Sequence, residues 1–193
     1  AVKYPGAARY CLFILTLVFY GFKQVWWLFP FLICIVFDFF WATLLANEKN
    51  TKKRKIICTL SVIQNLGLLG IFKYWSFFLR NLERLAPSIA AQMPMLEQSG
   101  LPLSLPPGIS FYTFESMSFV IDVYRRKIDP PKKASEFFAF VGMFPRFVAG
   151  PIVRYADIKE QFVHYRGMQW APGLVLFCFG FFLKTCFADS FAQ

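Results

Sequence analysis

Asp38, Glu115, Asp122 and Arg146 stand inside long apolar stretches of the sequence. A charge at the centre of a membrane helix costs about 2.5–3.5 kcal/mol on insertion scales, so groups retained there are functional candidates by default. A carboxylate in such a place could act as a base. Glu115 and Asp122 are seven residues apart, which on a helix stacks them on one face about two turns from each other. Tyr112 precedes Glu115 by three and broadly shares that face. A polar stripe of this kind looks into a bundle interior or a watery channel. A structural role stands beside the functional one, since Asp122 lies near the end of its segment and could pair with Arg125 or Arg126. Lys73 and Lys184 lie nearer segment ends, where long side chains reach the interface without special purpose.

Other chemistries find little support. His164 is the single histidine, set in KEQFVHYRG with no Asp, Cys or Ser neighbour at triad or metal spacing. It reads as an ordinary surface or interface residue. Cys11, Cys34, Cys58, Cys178 and Cys186 all sit in apolar runs, form no C-x-x-C pair and are odd in number, as small buried hydrophobes would be. No three- or four-ligand metal set can be assembled, and there is no glycine-rich phosphate loop.

The elements that carry these residues must be membrane segments. Of 193 residues, 57% are hydrophobic and 20% aromatic, whereas soluble domains run nearer 45–50% apolar. Twenty-six phenylalanines exceed what a soluble core of this size can hide. The net charge of +10 would raise nucleic-acid binding in a soluble chain. Here the cations cluster between apolar stretches, as in loops that hold the cytoplasmic ends of membrane helices, and nucleic acid is set aside.

Apolar stretches run over 9–22, 25–46 (broken by Pro30), 56–79, 109–124 and 174–188. A basic loop, NEKNTKKRK, occupies 47–55, and a second basic cluster occupies 125–133. Both clusters should be cytoplasmic, which requires an even number of crossings between them. The two predicted crossings are joined by a proline-rich, charge-balanced connection over 80–108 that faces outward. Residues 137–153 hold Gly142, Pro145, Gly150 and Pro151 around Arg146, which predicts a re-entrant or broken helix buried in protein or lining a cavity. Residues 154–170 are amphipathic and mixed in charge, suited to an interface. The expected fold is all-α, a polytopic membrane helical bundle with short, broken or re-entrant helices.

Two stretches are specific enough to name a family. PPGISFYTFESMSFVIDVYRRKIDP (106–130) resembles the P-x-G-I-S-F-Y-T-F segment of membrane-bound O-acyltransferases in the alginate O-acetylation branch. FPRFVAGPIVRY (144–155) resembles the F-P-x-x-V-A-G-P-I-x-R segment that follows it there, in the same order and at similar spacing. Weaker similarity covers LGLLGIFKYWSFF and FGFFLKTCFADSFAQ, so that the resemblance spans nearly all of residues 1–193 as a partial acyltransferase domain.

The resemblance implies a bacterial inner-membrane enzyme that passes an acetyl or other acyl group from a cytoplasmic thioester donor, such as acetyl-CoA or an acyl carrier thioester, to hydroxyls of an exported polysaccharide such as alginate. The polysaccharide would be reached through periplasmic or extracellular partner proteins, and no bound cofactor is implied. Family members use a histidine in a W-x-x-W-H-x-S-L-S-x-W segment, which this sequence lacks. His164 does not match it, so no catalytic residue is assigned, and the chain reads as the front part of a longer protein, inactive by itself. Carried over as channel or substrate-passage candidates are Tyr112, Glu115, Asp122, Arg146, Pro151 and Arg154, with Pro145 and Gly150 from the same motifs. D-alanyl transfer to teichoic acid belongs to a related branch. Without the motifs, a transporter or channel would suit broken helices and intramembrane carboxylates equally well, and a non-catalytic scaffold remains a third reading.

Overall fold

A computed structural model describes residues 5–85, 105–147, 150–163 and 169–191. His164 and most of the 80–108 connection lie outside the described residues. Helices α1 (Pro5–Lys23), α2 (Leu28–Asn47), α3 (Thr51–Leu85), α4 (Ile109–Tyr124) and α5 (Ala134–Val141) come first, then α6 (Tyr155–Val163), α7 (Trp170–Leu183) and α8 (Asp189–Phe191). Short 3-10 turns occupy Val25–Trp27 and Phe144–Arg146, and a π turn joins α7 to α8. Among the described residues there is no strand.

Three helical stretches are long and apolar enough to cross a membrane: Val25–Asn47, Thr51–Tyr74 and Trp170–Phe191, with mean hydropathies of 2.2, 1.6 and 1.7. Their outer faces present Phe37, Phe40, Ile63, Leu66 and Phe177 to the surroundings. In water such faces would drive aggregation, whereas in lipid they are matched. The chain is an all-α membrane protein.

The break expected at Pro30 does not occur. The backbone turns earlier, at Gln24, and Pro30 falls in the first turn of α2. Amides of a first helical turn have no partner in their own helix, so a missing N–H is harmless there. The basic loop is also only half a loop. Asn50 caps α3, its Oδ1 accepting from the amides of Lys52 (2.9 Å) and Lys53 (3.3 Å), and residues 51–55 form the opening turns of the helix.

Arg54 then joins the ends of three helices. Its guanidinium is buried and donates to the carbonyls of Leu45 and Glu48 at the end of α2. It also donates to Val123 (3.0 Å) and Tyr124 (2.8 Å) at the end of α4. The last carbonyls of a helix lack intrahelical partners and carry the negative end of its dipole, so one buried cation satisfies two helix ends. Both basic clusters are thereby brought to the same end of the bundle.

Between lipid-facing helices, association rests on packing and hydrogen bonds rather than on expulsion from water. Asp38 of α2 supplies such a bond network. It accepts from Ser61 Oγ (2.7 Å) and Asn65 Nδ2 (2.8 and 2.9 Å) on α3 and from Ser116 Oγ (2.6 Å) on α4, all four residues being buried. With several donors the carboxylate is satisfied in an apolar setting, and its removal would orphan them. On the other side, α1 runs parallel to α5: Arg9 pairs with Glu136, and Thr16 donates to the carbonyl of Gly142. Phe119, Phe137, Phe140 and Tyr155 pack edge-to-face or tilted against one another between α4, α5 and α6.

Candidate functional site

The segments PPGISFYTFE and FPRF meet in three dimensions, through a glycine. Gly108 precedes α4 with φ +76°, the left-handed region that glycine enters without penalty. A methyl group on its Cα would stand 2.6 Å from Phe147 Cβ and 2.9 Å from the Phe147 carbonyl oxygen. Phe147 can therefore close over the start of α4, where it enters an aromatic cluster with Tyr20, Phe31 and Tyr112, ring centres 5.1–6.4 Å apart. Tyr20 also donates from its hydroxyl to the Pro107 carbonyl, drawing α1 onto the same junction.

About two turns into α4 the contact becomes ionic. Arg146 Nη1 lies 2.9 Å from Glu115 Oε1, with side-chain exposures of 15% and 6%. The same guanidinium donates to the Phe140 carbonyl and sits 5.6 Å from the centre of that ring. The Pro/Gly-rich segment thus holds Glu115 through Arg146. The helix through residues 137–153 is broken, as its composition predicts: α5 ends at Val141, a tight turn follows at Gly142, and residues 150–154 are irregular. That break turns Arg146 toward α4.

Tyr112, Glu115 and Asp122 are all buried on α4. The Tyr112 hydroxyl and Arg146 Nε are buried with no hydrogen-bond partner among the described residues. Unsatisfied buried polar atoms cost about 1–3 kcal/mol each, so they mark a place where water or another group belongs. Of the two roles open to Asp122, the pairing one is not formed: it makes no ion pair with Arg125 or Arg126. Both arginines are exposed beyond the helix end, Arg126 with φ +56°. Pro151 and Arg154 are exposed, Arg154 at the start of α6, where its carbonyl accepts from the Asp157 amide at 3.1 Å. The arrangement thus joins Glu115 to Arg146, packs Tyr112 against the adjacent Phe147, holds Asp122 on the same helix, and leaves Pro151 and Arg154 at the surface.

Two groups central to the bundle escape motif reading. Arg54, Ser61 and Asn65 lie at steps of seven and four on α3, one polar stripe through an apolar helix. That stripe was the available signal for both the Arg54 cap and the Asp38 network.

No family model matches the chain, and no solved structure does. It is 34% identical to a probable alginate O-acetylase, AlgI, of Pseudomonas aeruginosa, over 98% of this chain and 37% of that protein. It is 35% identical to the protein of the same name from Azotobacter vinelandii, over 98% of this chain and 38% of that one. A peptidoglycan O-acetyltransferase of Helicobacter pylori is 32% identical over 99% of this chain and 40% of its own length. The chain spans about two-fifths of the length of these relatives, and both packed motif segments fall inside the matched region. The printed names of these relatives agree with the resemblance of the two motif segments to membrane-bound O-acyltransferases of the alginate O-acetylation branch.

Proposed function

We propose that the full-length protein is a multi-pass enzyme of the bacterial cytoplasmic membrane that acetylates hydroxyls of an exported polysaccharide. The observation that carries this reading is the buried junction of the two motif segments, Glu115 on Arg146 and Gly108 and Tyr112 on Phe147, within a region a third identical to proteins named as O-acetylases. The donor is a cytoplasmic thioester, acetyl-CoA or an acetylated carrier. The acceptor oxygen attacks the thioester carbonyl as a base takes its proton, the C–S bond breaks, and the thiolate leaves with a proton to give ester and thiol. No described residue is assigned a catalytic role. Glu115 and Arg146 act as a positioning pair that fixes the broken segment against α4, and the buried Tyr112 hydroxyl lies in the neighbouring aromatic cluster.

The shared position of the two basic clusters supports a cytoplasmic assignment for that end of the bundle. Thioester would then arrive at the basic end and polysaccharide at the opposite one. The relatives' printed names include both alginate and peptidoglycan as acceptors, and both polymers offer sugar hydroxyls.

The test is made in the source cell. Deleting the gene should remove alkali-labile acetate from the exported polysaccharide, and the full-length protein should restore it. Tyr112→Phe should restore it poorly at equal membrane abundance. Unchanged ester content on deletion would refute the reading.

A further inference from the structure

We infer that the groove between α1 and α5 is a binding site for an anionic phospholipid of the bilayer, with its phosphate on Lys132 and Lys133 and one acyl chain running along α1. The groove has a volume of about 480 Å³ and is lined by Tyr10 and Phe13 of α1 and by Lys133, Ala134, Ser135 and Phe138 at the start of α5. Phe13 and Phe138 stack at 5.4 Å to form an aromatic floor. Lys133 and Ser135 of the lining stand at the start of α5, whose opening turn carries the positive dipole end, and the exposed Lys132 immediately precedes them. Glu136 does not cancel that charge, because Arg9 engages it.

Three features favour a lipid over a soluble anion. The groove opens at the end of the bundle that carries the two basic clusters, where anionic headgroups of a cytoplasmic leaflet would lie. From Tyr10 an exposed apolar strip continues through Ile14 and Val18, at helical steps of four, for about 12 Å along α1. Since α1 and α5 run parallel from the basic end, the strip leads away from the charge and into the apolar depth of the bundle. Charge at one end and an apolar track beyond it match a phospholipid, whereas a nucleotide or acidic peptide would leave the track uncovered. The site is separate from the Glu115–Arg146 junction, and the inference does not depend on the proposed acetyl transfer.

Delipidated full-length protein would be titrated in detergent with phosphatidylglycerol and phosphatidylcholine of identical chains, and retained lipid counted by native mass spectrometry. One phosphatidylglycerol should bind in preference to phosphatidylcholine, and more tightly than a short-chain phosphatidylglycerol. The K132Q/K133Q double variant should weaken that binding about fivefold or more, whereas K52Q/K53Q, on the same basic end but away from the groove, should not. Should K132Q/K133Q fail to fold, K132R/K133R keeps the charge and should retain the lipid. Equal retention of the two headgroups, no advantage of the long chain, equal loss in both glutamine variants, or loss of binding in folded K132R/K133R would overturn the inference.

Discussion

Gly108→Ala places a methyl group where the two motif segments touch. The backbone there has φ +76°, which costs a residue with a Cβ about 1–2 kcal/mol. The new carbon would sit 2.6 Å from Phe147 Cβ and 2.9 Å from its carbonyl oxygen. The carbonyl oxygen and the Cβ are both fixed by the Phe147 backbone, so no rotamer change relieves either contact, and overpacking of this kind adds about 1–3 kcal/mol. The sum is a loss of about 2–5 kcal/mol. Gly70→Ala is the control, because nothing lies within 4 Å of its added carbon and alanine favours the helix interior by about 0.5–1 kcal/mol. Equilibrium denaturation of the full-length protein in micelles measures both variants. An unchanged midpoint for Gly108→Ala, or the same shift in both, would refute the claim that Phe147 closes directly over the start of α4.

Arg54→Met should destabilise the protein by about 2–4 kcal/mol in the same assay, since carbonyls at the ends of α2 and α4 lose a charged donor; a neutral result would show that those ends are satisfied without it. Asp38→Asn should cost about 1–3 kcal/mol, because the new amide would face the donors of Ser61, Asn65 and Ser116, and an equally stable variant would contradict the network. In a variant lacking the native cysteines, Lys127→Cys should react with an impermeant maleimide only after cells are opened, and Ser88→Cys before. The reverse pattern would invert the proposed topology.

Periodicity and charge made the helices legible. Residues 109–124 read as helical and form α4 over Ile109–Tyr124. Glycine and proline around Arg146 marked the break after α5, because they remove the side chains and amides that an uninterrupted helix needs. Pro30 misled for a positional reason: it is a breaker inside a helix and harmless in the first turn, and hydropathy does not show where that turn begins. Charge counting treated Arg54 as one more loop cation, yet it is the buried member of its cluster. Its neighbours Lys52, Lys53 and Lys55 point outward on the same helix. The ion pair of Glu115 with Arg146 was not legible either. It depends on how a broken segment folds back across 31 residues of sequence, which no local pattern encodes. Asp122 is the converse case, since nearness in sequence to Arg125 and Arg126 left open a pair that the helix end does not form.

The central claim is that the two motif segments work as one junction through Glu115 and Arg146. A double-mutant cycle on the full-length protein tests it, with ester-linked acetate on the exported polysaccharide measured at matched membrane abundance. The pair is largely buried, at 6% and 15% side-chain exposure, so removing either partner leaves an uncompensated charge. Glu115→Gln and Arg146→Gln should each lower acetylation about tenfold or more, and the double variant should do no worse than the weaker single. Wild-type acetylation in both singles, or losses that simply multiply in the double, would contradict it.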